Sequence, residues 1–205
     1  HAEPLSLYRA LRNLNPSPYM YYLDLGDTHI VGSSPEILAR VEDGKIAVRP
    51  IAGTRRRGHT PEEDRALEEE LLADPKEIAE HATIVDLIRN DLSFYASEVR
   101  VNRFRYVEQI NVNAESLLQV SSEIEGTLKN DWKANLGNLL WDMLPAGSIS
   151  GAPKPKTLEI IRSVEADSRG YYTGVYGYFD GQNLDSAVAI RFLEKQENKI
   201  EEIDI

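Results

Sequence analysis

Two glutamates three residues apart are the first side chains in this sequence whose spacing could support chemistry. The segment KEIAEH (residues 76–81) is predicted to be helical, so Glu77 and Glu80 would project from one helix face. Such a pair suits Mg²⁺, which takes one or two carboxylates and leaves its other positions to water and substrate anions. An ordinary solvated helix face is the alternative, and the bare Glu-x-x-Glu pattern does not exclude it.

Two further features could bind anions. The segment AGSISGAPK (residues 146–154) places small, hydroxyl-bearing residues before a predicted helix, whose first backbone N–H groups favour an anion. A plain helix-capping loop would look the same. Arg191 lies in a predicted apolar strand, where it could pair bidentately with a carboxylate or simply face outward. Metal, helix start and arginine together would suit a small substrate with two carboxylates.

Composition and charge exclude several function classes. The 205 residues include 34 acidic and 23 basic side chains, giving a net charge of −11, which would repel nucleic acid and anionic membranes. The chain has no cysteine, so disulfides, thiolate nucleophiles and Cys-ligated zinc are ruled out within it. No apolar run is long enough to span a membrane. We therefore expect a cytoplasmic protein whose partners are small molecules or other proteins.

The apolar spacing predicts five helices. A Pro-rich segment ends the first one, and Thr60-Pro61 forms an N-cap with proline at the first helical position of the second. The predicted helices are 5–14, 61–73, 75–90, 131–143 and 153–164, and residues 145–151 are predicted to be a loop.

Short β-rich runs separated by turn signals predict nine strands, the first four forming an antiparallel meander. They are 19–25, 29–32, 37–41, 45–51, 99–104, 117–124, 172–179, 186–193 and 199–203. Strands in runs with helices between them favour an α+β fold, in which antiparallel β-sheets pack with helices in a layered sandwich, over alternating βαβ units. We expect residues 1–205 to form a single domain.

Five segments, read in order, resemble the signature blocks of a known catalytic domain. They are SSPE (33–36), PIAGT (50–54), the helix 76–92, the loop 147–154 and the stretch 172–191. Together they resemble the chorismate-utilising enzymes, the family of anthranilate synthase component I and aminodeoxychorismate synthase component I. The resemblance covers nearly the whole chain and implies the layered sandwich of anthranilate synthase component I.

The resemblance implies roles for acids and metal ligands. Glu77 and Glu80 would bind Mg²⁺ at the ring carboxylate of chorismate. Glu36 would be the general acid for the leaving ring hydroxyl, since expelling hydroxide requires a proton from a placed carboxylic acid.

By the same resemblance, four residues would contact the substrate. Tyr172 and Arg191 would bind the enolpyruvyl carboxylate, and Ser148 and Thr54 would line the ring pocket. Taken without the family match, Glu36, Thr54 and Tyr172 would be ordinary turn or strand residues.

Two positions bear on which reaction is catalysed. Family members that form a covalent adduct or activate water are expected to have lysine where this chain has Ala52, and alanine can be neither nucleophile nor base. Leu118 falls where anthranilate synthases typically have a histidine that assists pyruvate elimination, and leucine cannot transfer protons. The resemblance thus implies amination of chorismate, and we hypothesise that aminodeoxyisochorismate accumulates rather than anthranilate.

The two halves of the chain resemble different branches. Residues 15–20 resemble the tryptophan feedback segment of anthranilate synthase, which implies a possible tryptophan effector. Residues 117–122, 148–157 and 170–185 look more like aminodeoxychorismate synthase, of the para-aminobenzoate and folate branch. Either enzyme would receive ammonia from a glutamine amidotransferase subunit.

The family pattern is incomplete at both ends. Strands expected before His1 are absent, and so are a glycine-rich segment and a second acidic pair expected after residue 205. The resemblance therefore implies truncation, or a chimeric or engineered origin. A catalytically inactive binding module of the same fold is the alternative from a different functional class.

Overall fold

The computed structural model describes residues 3–112, 115–196 and 199–201 of the chain. Six helices are present in this part: α1 Pro4–Leu14, α2 Pro61–Ala73, α3 Pro75–Ser93, α4 Leu136–Met143, α5 Gly147–Ser150 and α6 Lys154–Val164. The strands are β1 Tyr19–Asp24, β2 Thr28–Ser34, β3 Ile37–Glu42, β4 Lys45–Val48, β5 Ile51–Arg56, β6 Ala96–Val112, β7 Glu115–Leu128, β8 Val175–Phe179, β9 Leu184–Val188, β10 Phe192–Gln196 and β11 Lys199–Glu201.

The strands form two antiparallel sheets. The smaller has the order β1-β2-β10-β11. In the larger one, β7 pairs with β6 on one side and with both β4 and β5 on the other, and the sheet continues through β3, β9 and β8. Helix α1 packs on the small sheet, while α2 and α3 pack on the large one. The predicted α+β class with antiparallel sheets and packed helices is confirmed.

Local capping accounts for the helix boundaries. The Thr60 hydroxyl accepts a hydrogen bond from the Glu63 N–H, and the Asp74 carboxylate accepts from the N–H groups of Lys76 and Glu77. Both helices have proline in their first turn, Pro61 as predicted from sequence and Pro75 in addition. No helix in the described ranges is both long and apolar enough to cross a membrane.

Two predicted strands are wrong because each crosses a break. The run 45–51 divides at Arg49-Pro50 into β4 and β5, since proline cannot donate to a sheet. The run 186–193 divides into β9 and β10, which belong to different sheets. The predicted meander of the first four strands is also wrong, because β1 and β2 belong to the small sheet while β3 and β4 belong to the large one.

Other predicted boundaries also shift. Helix α4 occupies only the end of the predicted 131–143, the loop 145–151 contains α5, and Tyr172 lies in a turn before β8 rather than in a strand. The predicted strands 99–104 and 117–124 extend into the long β6–β7 hairpin. Residues 202–203 of the last predicted strand lie outside the described residues.

The main core lies between α3, α4 and the large sheet. Helix α3 buries His81, Val85, Ile88 and Leu92, whose spacing of four, three and four residues defines one face. This face packs in a cluster that includes Ile124 of β7. The position of α3, which carries the acidic pair, is therefore fixed by the large sheet.

Truncation of Leu92 should test this packing. Leu92 is fully buried, so Leu92→Ala should lower the free energy of unfolding by about 2–5 kcal/mol, measured by urea denaturation. Phe94, two residues on, is 64% exposed, and Phe94→Ala should change stability by less than about 0.5 kcal/mol. Equal losses from the two substitutions would contradict the packing described.

Candidate active site

Glu36 sits where the chain passes from the small sheet to the large one. It lies between β2 and β3, its backbone N–H donates to the Ser34 hydroxyl at 3.3 Å, and its carbonyl accepts from the Val188 N–H at 3.0 Å. The Ser148 hydroxyl of α5 donates a hydrogen bond to the Glu36 carboxylate. The structure therefore brings together Glu36 and Ser148, two predicted site residues 112 positions apart.

The surroundings of Glu36 favour the neutral acid. Burial raises the pKa of Glu36, and this effect outweighs the Ser148 hydrogen bond and the positive charge of Arg191, which both lower it. A carboxyl group with a raised pKa keeps its proton closer to neutral pH, so it can act as a general acid. The electrostatics are therefore compatible with the role that the resemblance implies.

Arg191 does not lie in a strand, contrary to the sequence prediction. It occupies the crossover between β9 and β10 with a φ of 54°, in the left-handed region, and its carbonyl accepts from the Ser33 N–H at 3.0 Å. Its side chain is exposed, and its charge acts on Glu36. The change of sheet at this point brings Arg191 close enough to Glu36 for its positive charge to lower the pKa of the acid.

Tyr172 is held close to this crossover by backbone bonds. The turn that contains it is tied by Thr173 N–H to Ala189 carbonyl at 2.8 Å and by Ala189 N–H to Gly174 carbonyl at 2.9 Å. The ring is half-buried and packs against a cluster that includes Phe192. Tyr172 and Arg191 therefore emerge from two adjoining backbone segments.

A small cavity of about 20 Å³ lies beneath the acid. Its polar lining comes mainly from Glu36, Asp91 and Ser148, and the volume is about that of one water molecule. Asp91 pairs with Lys154 at 3.4 Å, and both side chains are less than one fifth exposed. Burial raises the pKa of Asp91, while Lys154 opposes this shift. This pair could not be predicted from local sequence, because the two residues are 63 positions apart.

The acidic pair forms a second group of predicted residues. Glu77 is half-buried, and its Oε2 lies 3.2 Å from the point that a Cβ on Gly53 would occupy. Gly53 has a φ of +56° at a bulge in β5, between Ala52 and Thr54. Glu80 is exposed and lies 3.7 Å from Lys76. No hydrogen bond or ion pair joins this group to Glu36 in the described part of the chain.

The donor set fits Mg²⁺ as a partial site. Two carboxylates on one helical turn suit a cation that takes one or two protein carboxylates. Across residues 3–112, 115–196 and 199–201, no cluster of three or more Asp, Glu, His or Cys side chains could hold a metal ion. Glu77 and Glu80 therefore stay the predicted ligands, and the described residues add no third acidic, histidine or cysteine side chain to complete a cluster with them.

Strand β7 lies beside Ala52 and Thr54. Ala52 is opposite Val120, and Thr54, which is exposed, is opposite Gln119. Leu118 is buried in a cluster with Leu71 and Val120. Gln119, a polar residue that is only 7% exposed, lies on the face of β7 opposite to Leu118, because successive side chains of a strand alternate between the two faces.

The chain is similar to known proteins along almost its whole length. It matches the family described as chorismate binding enzyme over residues 1–202. Anthranilate synthase component 1 of Pseudomonas putida is 49% identical over 193 residues, which is 93% of this chain but 38% of that protein. The same enzyme from Aquifex aeolicus is 48% identical over 192 residues, 92% of this chain and again 38% of that protein. This chain thus spans about 38% of the length of these curated relatives.

Solved structures agree with this match. Anthranilate synthase component I from Streptococcus pneumoniae superimposes with a TM-score of 0.81 at 38% identity, covering 95% of this chain and 42% of that one. A menaquinone-specific isochorismate synthase from Escherichia coli gives a TM-score of 0.78 at 24% identity, covering 93% and 43% of the two chains. The second likeness supports the fold alone.

The balance of charges at Glu36 can be tested by titration. Arg191→Leu and Ser148→Ala should each raise the pKa of Glu36 further, because each removes a group that favours the carboxylate. The carboxyl carbon of Glu36, followed by ¹³C NMR across the acid range, reports this pKa. Arg40→Leu, which removes an exposed arginine paired with Glu42, is the control and should leave it unchanged. A fall in the Arg191→Leu variant would contradict the arrangement.

Contact between β5 and the acidic helix can be tested at Gly53. An added methyl group would lie 2.8 Å from Leu71 Cδ1 and crowd Glu77, so Gly53→Ala should destabilise through both strain and overpacking. Gly44→Ala is a matched control, because Gly44 also has a positive φ but has nothing within 4 Å of an added Cβ. We expect Gly53→Ala to cost about 1–3 kcal/mol more in urea denaturation. Equal costs would mean that the close approach is absent.

Proposed function

Because the chain belongs to the chorismate-binding enzyme family, we propose that it carries out, or forms part of an enzyme that carries out, Mg²⁺-dependent amination of chorismate with ammonia. The observation that carries this proposal is the meeting of Glu36, Ser148 and Arg191 at the junction of the two sheets. The relatives named anthranilate synthase component 1 support the same reaction class.

In this proposal Glu36 protonates the ring hydroxyl as it leaves. Its neutral form is favoured by burial, and the Ser148 hydroxyl holds the carboxyl group in place. Arg191 and Tyr172 would bind the enolpyruvyl carboxylate, since a guanidinium and a phenol can both donate to it. Thr54, exposed on β5, would line the ring pocket.

Glu77 and Glu80 would hold the metal ion. When bound, Mg²⁺ would neutralise the ring carboxylate and withdraw electron density as the hydroxyl leaves. Glu77 is held against Gly53 of β5, so the ligand is placed close to Ala52 and Thr54. The acidic pair and the ring-pocket residues would then contact one substrate.

Ala52 supports amination over hydration or adduct formation. A methyl group can neither deprotonate water nor attack the ring, and it leaves room for ammonia. The chain has no cysteine to act as a glutaminase nucleophile, so ammonia would come from a glutamine amidotransferase partner. Aminodeoxychorismate formation is the alternative reaction. The lysine that it would be expected to require at position 52 is replaced by alanine in this chain.

The residue type at position 118 bears on the product. Leu118, which packs with Leu71 and Val120, has no ionisable group and therefore cannot assist a proton transfer that eliminates pyruvate. We therefore propose accumulation of aminodeoxyisochorismate. Equal and rapid release of anthranilate and pyruvate would contradict this.

A tryptophan effector is proposed at residues 15–20. In this segment the Tyr19 hydroxyl donates to Asp185 at 2.9 Å, and the Tyr19 carbonyl accepts from the Tyr176 hydroxyl at 2.8 Å. These bonds join the small sheet to the large one. An effector bound here would act on the junction that also carries Glu36.

The decisive experiment incubates the chain with chorismate, Mg²⁺ and an ammonium salt, and identifies the products by mass. We expect an aminated product, and Glu36→Gln should lower the rate by about 10²–10⁴-fold because glutamine cannot donate the proton. Glu42→Gln, at an exposed glutamate of β3, is the control and should retain the rate.

The alternatives separate in the same experiment. Folded protein that binds chorismate in a Mg²⁺-dependent way without turning it over would favour an inactive binding module. Amination at ring carbon 4 would favour the aminodeoxychorismate branch.

A further inference from the structure

A buried polar network lies directly beneath the acidic pair. The Ser122 hydroxyl of β7 is 2.6 Å from His81 Nε2 of α3 and accepts a hydrogen bond from the Arg105 backbone N–H of β6 at 2.9 Å. His81 is 1% exposed, Ser122 is fully buried and Arg105 is 9% exposed. One hydroxyl therefore connects the hairpin to the helix that carries Glu77 and Glu80.

The arginine of this network extends it to α2. Its guanidinium Nη2 donates to the carbonyls of Leu71 and Leu72, at 3.1 and 3.2 Å, near the C-terminal end of that helix. Arg105 has a φ of 50°, its Nη1 has no hydrogen-bond partner in the described residues, and no carboxylate there pairs with it. Burying a charge in this way is unfavourable for stability, so the network is better explained by the geometry that it fixes.

The network constrains Glu77 from two sides. His81 lies one helical turn after Glu77, so the Ser122 bond fixes the rotation of that part of α3. On the other side, Arg105 holds the backbone of Leu71, whose side chain borders Gly53 next to the Glu77 carboxylate. Both constraints meet at residues of the β6–β7 hairpin.

We propose that Ser122, through His81 and Arg105, is the positioning residue that holds Glu77 and Glu80 in the geometry required for Mg²⁺. Glu80 adjoins His81 in the sequence, so one restraint serves both carboxylates. This inference rests on the proposed function for the identity of the metal. The positioning itself is a property of the chain that can be measured without the metal.

The test compares Ser122→Ala with Ser186→Ala. Ser186 is an equally buried serine whose hydroxyl accepts from the Ala39 N–H and donates to the Ala39 carbonyl, on β9 and away from α3. Amide hydrogen exchange of residues 76–82, measured without metal, should accelerate about tenfold in Ser122→Ala and stay unchanged in Ser186→Ala. Ser122→Thr, which keeps the hydroxyl, should restore slow exchange.

Mg²⁺ titration by calorimetry gives the second measurement. Ser122→Ala should weaken Mg²⁺ binding by about 10–100-fold, whereas Ser186→Ala should bind as the unaltered chain does. Equal exchange at 76–82 in the two alanine variants would overturn the positioning role. If the unaltered chain binds no Mg²⁺, the metal part of the proposed function fails, and the exchange experiment still decides whether Ser122 positions the acidic pair.

Discussion

The rest of the structure depends on how β7 pairs along one of its edges. Its second half bonds to β4, its first half bonds to β5, and the two partners are separated at Arg49-Pro50. Proline cannot donate a hydrogen bond, but its carbonyl accepts from the Ser122 N–H at 3.1 Å and keeps the edge continuous. Strand β5 can therefore turn away with its own bulge at Gly53, which brings it to α2 and α3.

The positions of Glu36 and of the Arg191 guanidinium depend on a second constraint, the passage of the chain from one sheet to the other and back. The chain leaves the small sheet at Glu36 and returns to it at Arg191, and the two crossings are joined by backbone bonds from Val188 and Ser33. At this seam, burial and a positive charge act in opposite directions on the Glu36 carboxyl group. The left-handed backbone of Arg191 is an unfavourable conformation of the kind that clusters at functional sites.

The sequence predicts those parts of the fold that have local signals. Thr60-Pro61 marks the start of α2, and the structure has this helix where the signal predicts it; α3 also begins at its predicted first residue, Pro75. The division of 186–193 could not be predicted, because Ala187 to Phe192 is apolar apart from Arg191, and the pattern of this run gives no sign of a change of sheet. Assignment of Mg²⁺ to Glu77 and Glu80 stays a prediction.

The network around Ser122 had no such signal either. A serine within a β-rich run gives no local indication of its partner, and His81 and Arg105 are 41 and 17 residues away. Burial and the charge of Arg105 lower the pKa of His81 to about 4, so the ring is neutral at neutral pH. Its Nε2 can therefore accept a hydrogen bond from the Ser122 hydroxyl. Such contacts follow from the tertiary pairing and not from propensity.

Register is what makes that pairing specific. Ser121 and Ser122 point to opposite faces of β7: the first donates to Glu108, which pairs with Arg49 just before Pro50, and the second bonds to His81. A slip of one residue would still present a serine to α3. It would also turn Leu118 and Val120 from the Leu71 cluster to the opposite face of β7. Such a register is strongly disfavoured, because these side chains would lose their buried contacts. The hydrophobic alternation of β7 thus determines that Ser122, and not Ser121, bonds to the helix that carries the acidic pair.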